Sequence, residues 1–297
     1  MESKKFSKVK IKKYKYNKKP KGEFKIKGII YFICLVIGFF SGLLIGTQLT
    51  KKHPQRKKDR RNSNKKLDFT NFITYSQALE DFILYCIFYD IDNGFYIDVG
   101  ANDPNKISVT KAFYLNGWHG INIEPLPEML PLLLKHRSRD INLNIGAGEK
   151  DDILTLYSQG TGSHLIKKYS GGNRRTINIT VHPMSKICKK YVPKDEEIQF
   201  CKIDVEGHEK YVLLGYDFKN YRPKVFCIES TVPGKSIPTH QEWEYILTQN
   251  GYSFGFQYSI NRYYYDTKVD YIGLRFLNLQ NYIKEYKEIR KRKKKVF

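Results

Sequence analysis

The chain reads as an α/β protein: a doubly wound, mainly parallel sheet preceded by one transmembrane helix. Three observations lead there. Beyond residue 67, short runs rich in β-branched and aromatic residues alternate with segments of helical period, the spacing of βαβ units. The first such run, Phe95–Asp103 (FYIDVGAND), is an apolar strand that ends in an acid and a glycine turn. In open α/β sheets ligands bind beyond the carboxyl ends of the strands, where this turn would lie. Ahead of it, Gly28–Leu49 (GIIYFICLVIGFFSGLLIGTQL) runs 22 residues without a charge, and about 20 apolar residues span a bilayer.

From the N-terminus, residues 1–27 form a basic tail with twelve lysines against Glu2 and Glu23. The span at 28–49 is longer than the apolar part of a signal peptide and lacks its small-residue cleavage site. Gly38, Gly42 and Gly46 recur every four residues, a spacing that lets membrane helices approach closely. A single-pass membrane localisation follows, with the lipid bilayer as partner and basic flanks facing anionic headgroups. The side of the folded body stays open. The lysine excess ahead of the span favours an N-terminus inside, whereas Cys201 and Cys227 read as buried strand thiols rather than a disulfide framework. Residues 50–66 are a basic linker, 67–283 one folded domain and 284–297 a basic C-terminal tail.

The net charge of +22 suggests a nucleic-acid binder until it is located. The two tails and the linker hold 24 net positive charges, leaving residues 67–283 at about −2. A nucleic-acid groove needs Lys and Arg on the folded surface, so nucleic acid is not an expected partner.

Within the domain, Ala78, Phe82, Tyr85 and Tyr89 step by three and four, predicting a helix over Tyr75–Tyr89. After the glycine turn a helix is predicted over Ile107–Asn116, closed by Gly117. A second strand, Gly120–Ile123, ends in Glu124-Pro125, and Pro127 opens the next helix. Ile141–Ile145 is a third strand. Alternation in Ile153–Tyr157 and Thr176–Val181 predicts an antiparallel pair around the loop Gly160–Gly172. Gln199–Ile203 is the fourth parallel strand and runs into Asp204-Val205-Glu206-Gly207-His208-Glu209, then a helix over Lys210–Leu214. Lys224–Ile228 is the fifth strand, Gln241–Gln249 a helix, and Tyr252–Gln257 and Tyr271–Phe276 close the sheet. The run Tyr263-Tyr264-Tyr265 reads as packing, with stacking on a sugar or base as the alternative.

Three acids thus terminate successive parallel strands: Asp98, Glu124 and Asp204. A carboxylate one strand–helix–strand unit beyond a glycine turn, as Glu124 is 24 residues beyond Gly100, accepts hydrogen bonds from ribose hydroxyls in nucleotide-binding sheets. The turn itself, Gly100-Ala101-Asn102-Asp103-Pro104, lacks the second and third glycines that a dinucleotide pyrophosphate requires. S-adenosylmethionine carries no phosphate and a cationic sulfonium, which suits an acid-rimmed, glycine-poor turn.

These residues bring a family into view. SQALEDFIL (76–84), NGFYIDVGANDPNKISVT (93–110), NGWHGINIEPLP (116–127), FCKIDVEGHEKYVLLG (200–215) and RPKVFCIES (222–230) resemble, in order, the FkbM-like S-adenosylmethionine-dependent methyltransferases. The resemblance implies the class I methyltransferase (Rossmann-like) sheet, seven strands with the last antiparallel, and covers neither the membrane span nor the tails. It implies that Asp98, Gly100, Ala101 and Asn102 cradle the methionine part of the cofactor. Glu124 would hold the ribose and Pro125 the adenine, while Gln77 and Asp81 face the same pocket. Asp204, Glu206 and His208 would sit where the acceptor arrives.

Methyl transfer to a hydroxyl needs the acceptor oxygen relieved of its proton. His208 suits that by its unperturbed pKa, with Asp204 or Glu206 orienting it or acting instead; Lys202 reads as a plain strand residue. No metal is expected, since two acids are too few and the remaining histidines lack zinc spacing. The expected function is a membrane-anchored O-methyltransferase acting on a glycan or another hydroxylated small molecule. An RNA methyltransferase and a non-catalytic cofactor-binding module remain the alternatives, and the oligomeric state is unknown.

Overall fold

Phe95, Ile97 and Val99 point to one face of strand β1 (Phe95–Val99), Tyr96 and Asp98 to the other, and all five are buried. A strand apolar on both faces belongs in the middle of a sheet covered on both sides, and β1 is there. The computed structural model describes residues 61, 62, 64–158 and 175–295. Its main sheet has seven strands, flanked on one side by β2 (His119–Ile123) and β3 (Ile141–Leu143) and on the other by β7 (Ile198–Ile203) and β8 (Val225–Glu229). Beyond β8 come β10 (Asn261–Asp266) and then β9 (Tyr252–Tyr258), giving the order β3-β2-β1-β7-β8-β10-β9. A separate three-stranded sheet, ordered β4-β6-β5, is built from β4 (Gly146–Gly148), β5 (Asp152–Ser158) and β6 (Arg175–Pro183).

Eight α-helices occur among the described residues: α1 (Glu80–Phe88), α2 (Lys111–Leu115), α3 (Leu130–His136), α4 (Met184–Tyr191), α5 (Glu209–Leu214), α6 (Glu244–Gln249), α7 (Asp270–Phe276) and α8 (Leu279–Lys295). Two apolar cores result, one per face of the main sheet. Phe95, Ile97, Cys201, Ile203 and Phe226 pack with Met184, Val212, Leu213 and Leu247 of α4, α5 and α6. Tyr96 and Phe200 pack with Phe82, Phe113, Ile272 and Tyr286 of α1, α2, α7 and α8.

The expected fold class needs one correction. The transmembrane helix placed at 28–49 lies outside the described residues, and among the described residues no helix is long and apolar enough to cross a membrane. The longest described helix, α8, has 17 residues, eight of them Lys or Arg, where a span needs about 20 apolar ones. The membrane helix and the single-pass localisation are therefore withdrawn. Within the sheet, β3, β2, β1, β7 and β8 are parallel, while β10, the last strand in the chain, runs antiparallel to both β8 and β9.

Local assignments also shift. Tyr271–Phe276, expected as a closing strand, lies in α7, because Ile272 and Phe276 recur at helical spacing and both bury. The strand is Asn261–Asp266, which carries the tyrosine run: Tyr263 packs on one face of the sheet and Tyr264 on the other, each fully buried. Of the expected tail 284–297, residues 284–295 supply most of α8, and Tyr286 stacks on Phe82 with ring centroids 4.2 Å apart.

Candidate active site

The turn after β1 is shaped by close approach of two strand ends. Gly100 sits at φ 79°, in the left-handed region, and a Cβ built there would lie 1.9 Å from the Asp204 carbonyl oxygen. Only glycine meets both conditions. The turn is tied to β2, since the Gly100 and Ala101 N–H groups both donate to the Ile123 carbonyl, at 2.9 and 3.2 Å.

Asp98 and Lys202 are direct register partners on β1 and β7. Lys202 Nζ lies 3.3 Å from Asp98 Oδ1 and 3.6 Å from Asp204 Oδ2, and donates to the Gly100 carbonyl at 2.6 Å. Burial pushes the Lys202 pKa down, but the Asp98 and Asp204 carboxylates outweigh it and hold the ammonium charged, with its pKa above the usual lysine range. Asp98 also accepts the Thr110 hydroxyl at 2.9 Å and is 1% exposed. It stands behind the turn as an anchor rather than on the surface of the crevice.

Beyond the carboxyl ends of β1, β2 and β7 lies a crevice of about 460 Å³, of the size that holds a cofactor. Glu124 lies on its wall, 5% exposed, with Oε2 accepting the Asn102 N–H and Oε1 the Leu126 N–H, each at 2.8 Å. Burial raises its pKa, against the pull of those two donors. A carboxylate oxygen has two lone-pair sites, so each retains one acceptor position. The Asn102 side-chain oxygen is buried with no hydrogen-bond partner among the described residues. Leu126, Leu156 and Ile179 form an apolar wall, the last two brought there by β5 and β6 of the second sheet.

The loop after β7 is set by Glu209, whose Oε1 accepts the Val205 and Gly207 N–H groups at 3.2 and 3.0 Å. This fold of the loop holds Glu206 at φ 56° and places Asp204, Val205 and Glu206 on the crevice wall. Burial, reinforced by the charges of Asp204 and Glu209, pushes the Glu206 carboxyl up to about 7.

The crevice gathers Gln77, Gly100, Ala101, Asn102, Glu124, Pro125, Asp204 and Glu206. Three of the expected site residues are not on its wall. Asp98 is one. Asp81 is fully buried, accepting the Thr74 and Ser76 hydroxyls and the Tyr75 N–H, and so organises the loop before α1. His208 stacks on Tyr211 with centroids 4.6 Å apart, and burial lowers its pKa to about 4, a poor match for a base at neutral pH. Lys202, set aside in the sequence, is the charged centre of the turn. It stands two residues before Asp204, a spacing that points both to one face of a strand.

The model of the methyltransferase FkbM domain matches residues 98–254, more than half of the 297-residue chain. No curated protein matches the chain.

Proposed function

The chain belongs to the FkbM methyltransferase family, and on that premise we propose that it is an S-adenosylmethionine-dependent O-methyltransferase acting on a hydroxylated small molecule such as a sugar or glycan. The observation that carries this is Glu124, a buried carboxylate beside the Gly100 turn that keeps an acceptor position on each oxygen. That is the pair of acceptors two ribose hydroxyls require. The unpartnered Asn102 oxygen suits an ammonium donor, and the wall of Leu126, Leu156 and Ile179 suits an adenine. The crevice wall carries Asp103, Glu124, Asp204 and Glu206 against Lys106 and Lys202, an acidic excess that favours a cation and opposes a diphosphate.

Bound S-adenosylmethionine supplies a methyl group made electrophilic by its positive sulfur. The chain's own residues do the rest. Gly100 keeps the turn low, Glu124 fixes the ribose, and Lys202 fixes Asp98 and Asp204 around the turn. Glu206, with a pKa of about 7 and a place on the crevice wall, would accept the proton that the acceptor hydroxyl gives up. Such a base contributes roughly 10²–10⁴-fold to the rate.

The test is calorimetric titration of S-adenosylmethionine into the full chain and into Glu124→Gln, which keeps the side-chain shape. Binding to the wild type, weakened at least about tenfold in the variant, is expected from loss of charge-assisted hydrogen bonds. Equal affinity in both overturns the assignment of Glu124, and no binding to the wild type overturns the cofactor.

A further inference from the structure

A second cavity, of about 690 Å³, opens beside the crevice and shares Gln77 with it. Its walls differ in character. Lys287, Arg290 and Lys291 of α8 face it, spaced at i, i+3 and i+4 so that one helix face carries all three. Tyr258 and Ser259, at the turn between β9 and β10, line it too.

That turn lies at the active edge of the sheet. Ser230, directly after β8, donates its N–H to the Ile260 carbonyl at 2.8 Å, and Asn261 pairs in register with Glu229. The cavity therefore opens at the edge where Asp204 and Glu206 project.

The basic face is only lightly committed. Lys291 meets Glu288 at 2.9 Å in an exposed pair, of the kind that contributes little. Lys287 lies 5.3 Å above the Tyr258 ring. Arg290 makes no ion pair among the described residues. Three cations around a cavity in a domain whose sequence is otherwise near neutral constitute a local anion site, and a guanidinium matches a phosphate through two parallel hydrogen bonds.

Resting on the reading of the crevice as a methyltransferase site, we infer that the acceptor is phosphorylated: a sugar phosphate whose phosphate seats against Arg290, Lys287 and Lys291 while a hydroxyl reaches past Gln77 to the methyl group. The Tyr258 ring gives the sugar a flat apolar surface to lie on.

The experiment titrates glucose 6-phosphate, glucose and a short single-stranded RNA separately into the full chain, with and without S-adenosylhomocysteine. It is repeated with Arg290→Gln and with the double variant Lys287→Glu/Arg290→Glu. Glucose 6-phosphate should bind, glucose should bind at least about tenfold more weakly, and the double variant should lose about tenfold or more of the phosphate-dependent affinity. S-adenosylhomocysteine affinity should not change in either variant. Equal binding of sugar and sugar phosphate, no binding of either up to about 10 mM (a free energy of only ~3 kcal/mol), phosphate affinity indifferent to the variants, or binding of RNA alone each overturn the proposal. Failure of S-adenosylhomocysteine to bind while the phosphate probe binds counts against the cofactor and leaves the anion site standing.

Discussion

Lys202 shows how one side chain decides what a site can be. Its ammonium joins Asp98, Asp204 and the Gly100 carbonyl, so the ends of β1 and β7 meet at a single buried charge. Removing one partner of a buried ion pair leaves the other uncompensated, at a cost of about 3–5 kcal/mol. Asp98 suffers most, since its side chain is 2% exposed, against 38% for Asp204. We predict that Lys202→Met lowers unfolding stability by about that amount, and that adding Asp98→Asn restores part of it. Guanidinium denaturation of the two variants decides the matter: a loss under about 1 kcal/mol in the single variant, the range of an exposed pair, would deny the charge its structural role.

At the scale of elements, α8 converts a run of lysines into part of the fold. Its inner face buries Leu279, Ile283 and Tyr286, and the Tyr286 ring stacks on Phe82 and lies near Phe69 and Phe72. The outer face keeps Lys284, Lys287, Lys291 and Arg292 exposed, and Lys293 donates to the Thr70 carbonyl and to Asn71. Truncating a buried aromatic to alanine costs about 3–5 kcal/mol. Tyr286→Ala is expected to cost that much and removal of residues 284–297 at least as much, read as a drop in the thermal midpoint. A neutral truncation would return this stretch to the status of a tail. The second sheet makes a comparable contribution to the site, because β5 and β6 carry Leu156 and Ile179 to the crevice.

The whole molecule integrates titrating groups with opposed effects. Burial raises Glu206 and Glu209 to about 7, so between about pH 4.3, where an unfolded glutamate titrates, and pH 7 the folded chain holds more protons. Those two groups make stability fall as pH rises through that window. His208 acts in reverse. Its folded pKa of about 4 lies below the unfolded value of about 6.5, so the unfolded chain binds the extra proton and acid destabilises the fold. We predict that His208→Phe, which preserves the stack on Tyr211, compares more favourably with the wild type at pH 5 than at pH 7. The difference in denaturation midpoint at the two values is the measurement, and a difference independent of pH refutes the assignment.

The strand-end acids, the glycine turn and the order of strands and helices follow from local chemistry: β-branched and aromatic runs, acids at their ends, and a glycine where the backbone must turn. These were legible residue by residue, as was the family. The membrane helix was a local reading too, and the described residues give it no support. What the sequence could not decide is which side of a buried network a polar residue faces. Asp81 and Asp98 are carboxylates like Glu124 and Glu206, yet the first two serve the framework, as His208 does, and the last two reach the crevice. Register on β1 and β7 makes that choice for Asp98 and Lys202, and packing of a second sheet makes it for Leu156 and Ile179. The physical reason is range: a turn or a helical period is set by neighbours in the chain. A shared proton, an ion pair or a cavity wall is set by residues a hundred positions apart, as Lys202 and the Gly100 carbonyl are, and these meet only in the folded sheet.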